Sequence, residues 1–146
     1  MPFLPAACAS SAGRYRRTPN MHHSRLCSIQ IDCRTSDVDE AATFWAGALG
    51  FPVDLDHAGS RGNYRQLATP AAEPMVQIQR VDHDSRAHLD IETDDIAAEV
   101  ARLEKLGATV YKRLERWTVL QAPTGQRFCV VRVQRPFFSQ HANRWD

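Results

Sequence analysis

The chain has 146 residues, with 18 basic and 17 acidic side chains and a formal net charge of +1. This length corresponds to one domain with a core, and the balanced charge offers no basic surface for nucleic acid or an anionic membrane. Charged residues interrupt every apolar run before the ~20 residues of a membrane span. The four cysteines form no CxxC pair, which favours a reducing cytoplasm. We therefore expect a cytoplasmic protein with no nucleic-acid or membrane partner.

The N-terminal segment differs in composition from the rest of the chain. Residues 1–20 contain three arginines, no acidic residue and no apolar periodicity, which is typical of disorder. Met21 is then a candidate for the true start, and an organelle transit peptide is the alternative for this arginine- and serine-containing segment. We predict a disordered extension over residues 1–25, and we expect His22 and His23 to lie on a fraying end rather than to bind metal.

An internal repeat with an offset of 58 residues organises the remainder of the chain. Residues 30–38 align with residues 88–96, and each copy alternates polar and apolar residues before it changes to helical spacing. The apolar stripes predict a helix from Val38 to Leu49 and a second from Ile96 to Leu106, each followed by a glycine that can end it. The candidate N-terminal caps are Ser36 or Asp37 and Asp94 or Asp95.

Three short strand-like runs follow each helix, separated by glycine- and proline-containing turns. They are Pro52–Leu55, Asn63–Ala68 and Met75–Arg80 in the first copy, and Thr109–Lys112, Arg116–Gln121 and Arg127–Val133 in the second. The sequence therefore predicts an α+β fold of two βαβββ modules with sheets that curve around a cleft. The two-module domain spans 26–133, with module one over 26–81 and module two over 86–133, and an aromatic tail follows over 134–146.

Strand alternation predicts which side chains reach the cleft. Each module has a helix on one sheet face only, so the other faces have to meet around a binding site. The helix side receives Ile31, Cys33, Leu89 and Ile91, together with Val76, Ile78, Phe128 and Val130. The cleft side receives Gln30, Asp32, Gln77, Gln79, His88, Asp90, Cys129 and Val131. Tyr64 and Trp117 lie in middle strands, where their rings can stack on a flat ligand.

Several short motifs at consistent spacing resemble a known family. They are Asp37-Val38-Asp39, Phe44-Trp45 and Leu49-Gly50-Phe51 in the first module, and His88-Leu89-Asp90-Ile91, Leu106-Gly107-Ala108, Trp117-Thr118-Val119, Ala122-Pro123-Thr124-Gly125 and Phe128-Cys129-Val130 in the second. With them, residues 26–133 resemble the vicinal oxygen chelate superfamily of glyoxalase I, extradiol dioxygenases and bleomycin-resistance proteins, and within it the glyoxalase-like domain branch. The resemblance implies the paired-module fold and a homodimer.

The resemblance also implies where a metal would bind. Metal-dependent members of the superfamily hold a divalent ion with the first and fourth strands of each module, usually through His or Glu. Those positions align here with Gln30, Gln77, His88 and Cys129, of which only His88 keeps a common ligand type. We therefore expect no cofactor, with a divalent metal at His88 as the alternative. Asp32 or Asp90 would complete a metal site if the strand register differs by one layer.

Three functional classes fit these residues. The first is binding of a small flat or aromatic molecule by Gln30, Asp32, Tyr64, Gln77, His88, Asp90, Trp117 and Cys129. The second is a divalent-metal-dependent lyase, isomerase or dioxygenase that uses His88. The third is a metal-free acid/base enzyme in which His88 is catalytic together with Asp32 or Asp90. The altered ligand set favours the first class, and the sequence does not specify the ligand.

Each candidate residue also has a structural interpretation. His88 can simply hydrogen-bond to Asp90 or Gln30, and the two aspartates can form a polar layer between the modules. Cys129 fits a buried small side chain, and Trp117 fits the core. The tail carries Phe137, Phe138 and Trp145, which we expect to pack over the cleft, over the helix face or against a second subunit.

Overall fold

The computed structural model describes residues 21–146, so the predictions for residues 1–20 lie outside the described residues. Over this range it contains nine strands and three helices. The strands are β1 (His22–Arg34), β2 (Val53–Asp54), β3 (Tyr64–Leu67), β4 (Met75–Val81), β5 (Arg86–Thr93), β6 (Thr109–Arg113), β7 (Trp117–Gln121), β8 (Arg127–Arg132) and β9 (Asn143–Trp145); the helices are α1 (Val38–Leu49), α2 (Ile96–Lys105) and α3 (Phe138–His141). The α+β fold is confirmed, and the predicted helices and the strands after them agree with these bounds to within one residue.

The two modules share one sheet. Its strand order is β2-β3-β4-β1-β5-β8-β7-β6, so each module contributes four neighbouring strands and the two first strands pair antiparallel at the centre. The sequence predicts modules that face each other, whereas the structure joins them edge to edge. Edge pairing satisfies the backbone groups that two separate sheets would leave open along β1 and β5.

Aspartate and glycine define the ends of the main helices. The Asp37 side chain accepts hydrogen bonds from the backbone N–H groups of Asp39 and Glu40, and Asp95 accepts one from Ala98. These residues, rather than their neighbours Ser36 and Asp94, are therefore the N-caps. After α1, Gly50 has a φ of 75°, the left-handed conformation that ends a helix at little cost only when the residue is glycine.

Each helix covers the sheet of its own module. Val38 and Ala42 of α1 pack on Leu67, Val76 and Ile78, with Ile31 and Cys33 at the margin. In the second module, Val100 and Leu103 of α2 pack on Ala108, Leu120 and Val130, with Ile91 at the margin. Leu89 alternates with His88 and Asp90 and so lies on the predicted face, but it is 48% exposed and belongs to neither core, because it lies at the seam between the two modules. The described residues include no helix that is long and apolar enough to cross a membrane.

The predicted extension over residues 1–25 is too long, because β1 already begins at His22. A bulge between Leu26 and Ser28 shifts the alternation of side chains along β1. Before the bulge, the even-numbered residues His22 and Ser24 face α2. After the bulge, the even-numbered residues of β1 face away from α2. His22 Nε2 lies 2.7 Å from Glu99 Oε2, and Ser24 Oγ donates to Glu99 Oε1 at 2.9 Å. His22 is therefore part of a buried polar contact rather than of a fraying end.

The C-terminal tail packs on the same strand. β9 pairs antiparallel with β1 over His22–Ser24, and the indole Nε1 of Trp145 donates to Ser24 Oγ at 2.8 Å. The guanidinium carbon of Arg102 lies 3.9 Å from the centre of the Trp145 ring. The expected homodimer stays a prediction, since these contacts account for the position of Trp145 within one chain.

Candidate functional site

A cavity of about 350 Å³ opens on the sheet face opposite the two main helices. It is lined by all eight residues predicted to bind a ligand, namely Gln30, Asp32, Tyr64, Gln77, His88, Asp90, Trp117 and Cys129. Gln79 and Val131, also predicted on the cleft side, line it as well. The structure therefore brings the predicted residues together around one space, which we call the central cavity.

The register of the two central strands explains this convergence. In the β1–β5 ladder, Gln30 pairs with His88, and Ser28 pairs with Asp90. Directly opposed residues in an antiparallel ladder extend to the same face, so polar residues two positions apart on both strands form one polar layer. Asp32 lies one step further along β1 and completes the layer beside His88.

His88 lies between two buried carboxylates. Its Nδ1 atom is 2.9 Å from Asp32 Oδ2, and its Nε2 atom is 3.5 Å from Asp90 Oδ1. Burial alone would lower the pKa of His88, but hydrogen bonds to Asp32, Asp90 and Cys129 raise that pKa from 6.5 to about 11. At neutral pH the imidazole is therefore a cation, and it lies between the side chains of Asp32 and Asp90.

Three buried acceptor atoms of this layer receive no well-formed hydrogen bond from any described residue: Gln30 Oε1, Asp32 Oδ1 and Asp90 Oδ1, the last of which has only the 3.5 Å contact with His88 Nε2. The amide nitrogen of Gln30 is already used, because it donates to Ser28 Oγ at 3.0 Å and to Asp90 Oδ2 at 3.2 Å. A buried acceptor without a donor costs about 1–3 kcal/mol, so this layer has capacity for hydrogen-bond donors. We call these three atoms the acceptor floor of the central cavity.

The side walls contain polar groups that are already hydrogen-bonded. Gln77 Nε2 donates to the carbonyl oxygen of Gly59 at 2.9 Å and so attaches the loop after β2 to β4. Gln79 Nε2 donates to the hydroxyl oxygen of Tyr64 at 2.9 Å. Burial, followed by the charges of Asp32 and Asp90, raises the pKa of Tyr64, so its hydroxyl keeps a proton to donate.

The remaining walls combine a thiol, an indole and two arginines. Burial raises the pKa of Cys129, which keeps the group a thiol at neutral pH and opposes a role as nucleophile. Trp117 is 36% exposed and presents part of its ring to the cavity. Arg86 Nε lies 3.5 Å from Asp32 Oδ2, and the Arg127 guanidinium stacks 3.4 Å from the centre of the Tyr111 ring.

Among the residues that build this site, Ser28, Arg86 and Arg127 were not singled out from the sequence. Ser28 would follow from extending the alternation of β1 by one step, since it occupies the same face as Gln30. Arg86 and Arg127 carry no such signal, because each is the first residue of its strand and borders a loop. Their place beside the cavity depends on the register between strands, which periodicity within one strand does not define.

The metal ligand set implied by the family resemblance does not fit these residues. Gln30 and Gln77 supply neutral amide oxygens, which are poor substitutes for histidine or carboxylate ligands. Among the described residues, the ligand atoms that converge are those of His88, Asp90 and Cys129, all within 4.8 Å of one another. That trio differs from the implied set, and two of its members carry protons at neutral pH. We therefore derive no chemistry through a metal.

Comparison with known proteins addresses the family and the fold. A family model described as the glyoxalase-like domain matches residues 28–131. No curated protein matches the chain significantly.

Solved structures share the fold at low sequence identity. A Mn(II)-bound glyoxalase from Novosphingobium aromaticivorans is 19% identical, with a TM-score of 0.55 over 77% of this chain, which spans 40% of that protein. A glyoxalase/bleomycin resistance protein/dioxygenase superfamily member from Vibrio splendidus 12B01 is 17% identical, with a TM-score of 0.51 over 75% of this chain and 99% of the other. Methylmalonyl-CoA epimerase from Mycobacterium tuberculosis is 16% identical, with a TM-score of 0.51 over 75% and 87%.

These structures establish a shared fold, and at such identities they do not establish a shared activity. The family match covers most of the two-module domain and agrees with the motifs and with the paired βαβββ topology. The chain belongs to the glyoxalase-like domain family.

Proposed function

We propose that this protein binds a small organic molecule in the central cavity without using a metal. The observation that carries the proposal is the acceptor floor, in which three buried oxygens of Gln30, Asp32 and Asp90 receive no well-formed hydrogen bond from residues 21–146. A ligand with N–H or O–H groups would satisfy them, and the partly exposed ring of Trp117 offers a flat apolar surface beside them.

The protonation of His88 favours binding over acid/base catalysis. A general base has to be unprotonated at the working pH, whereas the carboxylates of Asp32 and Asp90 hold the pKa of His88 at about 11. A base of this kind would be almost fully protonated in a neutral solution. His88 instead serves as a fixed cation that keeps two buried carboxylates in place.

A fragment screen by protein NMR tests the binding proposal. The full chain, labelled with ¹⁵N, is mixed with small aromatic amines, amides and alcohols, and chemical-shift changes are followed. We expect changes at the Gln30 side-chain amide, the His88 ring and the Trp117 indole. The variant Gln30→Met removes one floor acceptor at similar size, and we expect it to weaken binding of donor-bearing fragments about 3- to 10-fold, consistent with loss of one hydrogen bond.

The matched control is Asp56→Asn, which alters an exposed loop acid that does not line the central cavity. It should leave every fragment affinity unchanged. Binding that maps only to other surfaces, or the absence of binding by any fragment, would refute the proposal.

A divalent-metal-dependent lyase, isomerase or dioxygenase is the second candidate, and one observation favours it. The ligand atoms of His88, Asp90 and Cys129 lie within 4.8 Å of one another, and Asp32 holds the other ring nitrogen of His88. Such an aspartate–histidine pair commonly orients a histidine toward a metal. Elemental analysis of protein purified without chelator distinguishes the two functions: one equivalent of metal that is lost in His88→Ala would support the second.

A further inference from the structure

A second groove continues the central cavity to the surface. It has a volume of about 450 Å³ and shares Tyr64, Gln77, Trp117 and Val131 with the cavity wall. Because the two spaces have these walls in common, one ligand can extend from the acceptor floor into the groove.

Three arginines line this groove: Arg61, Arg116 and Arg132. We call them the arginine mouth. All three are exposed, and no acidic residue lines the groove within the described part of the chain. The guanidinium groups of the mouth form no ion pair among residues 21–146, whereas Arg25, Arg65 and Arg102 each bind a carboxylate.

Two of these arginines lie next to the last pair of the β7–β8 ladder. Trp117 of β7 is paired with Val131 of β8, and Arg116 and Arg132 are their neighbours in the chain. Guanidinium groups bind carboxylate and phosphate through paired hydrogen bonds, so the three arginines that line the groove favour an anionic group in the ligand.

The connected spaces therefore differ in polarity at their two ends. The floor presents acceptor oxygens that need donors, and the mouth presents cations that need an anion. Between the two ends lie the rings of Tyr64 and Trp117. We infer that the ligand is bipolar: a donor group such as an amine, amide or hydroxyl binds the floor, a flat middle contacts the aromatic rings, and a carboxylate or phosphate binds the mouth. The inference rests on the proposed function, since it assigns a ligand class to the same site.

A matched set of probes tests the two ends separately. Three probes share one ring: 4-(aminomethyl)benzoate, its methyl ester and 4-methylbenzoate. A fourth probe is a homologue of 4-(aminomethyl)benzoate with two further methylenes before the carboxylate, so that the distance between amine and carboxylate does not decide the result. Dissociation constants are measured on the full chain by NMR titration. Two of the probes carry both an amine and a carboxylate. We expect the tighter-binding of these two to bind at least 10-fold more tightly than both the ester and 4-methylbenzoate.

The variant Arg116→Gln should lower the acid-to-ester affinity ratio several-fold, since Arg61 and Arg132 remain, and leave the amine preference intact. Arg113→Gln is the control, because Arg113 is also exposed but lines neither space. Raising the salt from 50 to 500 mM should reduce the ratio in the wild type, as expected for an exposed charge contact.

The outcomes separate this inference from the proposed function. Equal binding of acid and ester, or an acid preference that Arg116→Gln leaves unchanged, would refute the bipolar ligand and leave the proposed function standing. Failure of every probe, together with every donor-bearing fragment, would refute both.

Discussion

His88 and Asp32 come from the central strands of the two modules, and their side chains meet with 2.9 Å between Nδ1 and Oδ2. Asp32 is buried, so this contact places a charged pair at the junction between the modules. The pair connects the fold to the candidate site, because it lies on the β1–β5 seam and also lines the central cavity.

The first prediction concerns the protonation of His88. The hydrogen-bonded carboxylates of Asp32 and Asp90 raise its pKa to about 11, so the ring should remain an imidazolium at pH 8. The ¹⁵N chemical shifts of the two ring nitrogens, measured between pH 5 and 10, report this state directly. In Asp32→Asn the pKa should fall, because the nearest negative charge is removed. A wild-type titration centred near 6.5 would contradict the prediction.

The raised pKa of His88 also predicts how the free energy of unfolding changes with pH. Above pH 6.5 the unfolded chain loses the His88 proton, while the native state keeps it up to about pH 11. The native state then binds more protons, so the free energy of unfolding falls as pH rises through this window. Urea unfolding at pH 6.5 and pH 9.5 measures the fall. It should be smaller in His88→Gln, which has no proton to release; an equal fall in both proteins would show that His88 does not cause it.

A second prediction concerns Glu92, which is fully buried. Its carboxylate accepts a hydrogen bond from Arg25 Nε at 2.6 Å and from the backbone N–H groups of Gln134 and Arg135 at 2.7 and 2.9 Å. Glu92→Gln leaves Arg25 without its anion inside the protein and should lower the free energy of unfolding by about 3 kcal/mol. Urea denaturation measures the loss.

The control for Glu92 is the Arg34–Asp84 ion pair, in which the carboxylate is 96% exposed. Asp84→Asn should cause no measurable loss, because solvent screens such a pair. Equal stabilities of Glu92→Gln and Asp84→Asn would show that the contacts of Glu92 with Arg25 and with the backbone of the tail do not stabilise the fold more than an exposed ion pair does.

Local patterns predicted much of the fold. The spacing of Val38, Ala41 and Trp45, followed by Gly50, predicted α1, since a helix is built from contacts within one segment. The two-residue period of strands also placed Gln30 and His88 on one face before any pairing was known. These features depend only on neighbouring residues and are therefore visible in the sequence.

The features that the sequence did not predict depend on pairing between distant segments. The bulge at Leu26 and Ser28 reverses the alternation of β1, and the tail then pairs with His22–Ser24 more than 100 residues away. The hydrogen bonds of Glu92 could not be predicted from the sequence either, since two of its partners are backbone groups of the tail. The arginine mouth combines a loop residue, Arg61, with residues near the ends of two strands.

A third prediction compares two glycines of the same segment. Gly47 lies inside α1, and a methyl group added there would meet no atom within 4 Å, so Gly47→Ala should stabilise the protein by about 0.5–1 kcal/mol. Gly50 also has open space around it, but its φ of 75° strains any other residue. Gly50→Ala should therefore destabilise by about 1–2 kcal/mol. Thermal and urea unfolding measure both changes, and a shared sign would contradict the assignment of Gly50 as the helix end.

The last prediction separates two contacts of Trp145 that hold the tail. Trp145→Phe removes the hydrogen bond from the indole to Ser24 but keeps a ring under Arg102, so it should lower the free energy of unfolding by about 1 kcal/mol. Trp145→Ala removes the ring as well and should lower it by about 2–3 kcal/mol. Ser24 keeps its hydrogen bond to Glu99 in both variants, so no buried hydroxyl is left without a partner. Hydrogen exchange of the β9 amides should be faster in Trp145→Ala than in Trp145→Phe; equal rates in the two variants would show that the ring contact with Arg102 does not hold the tail.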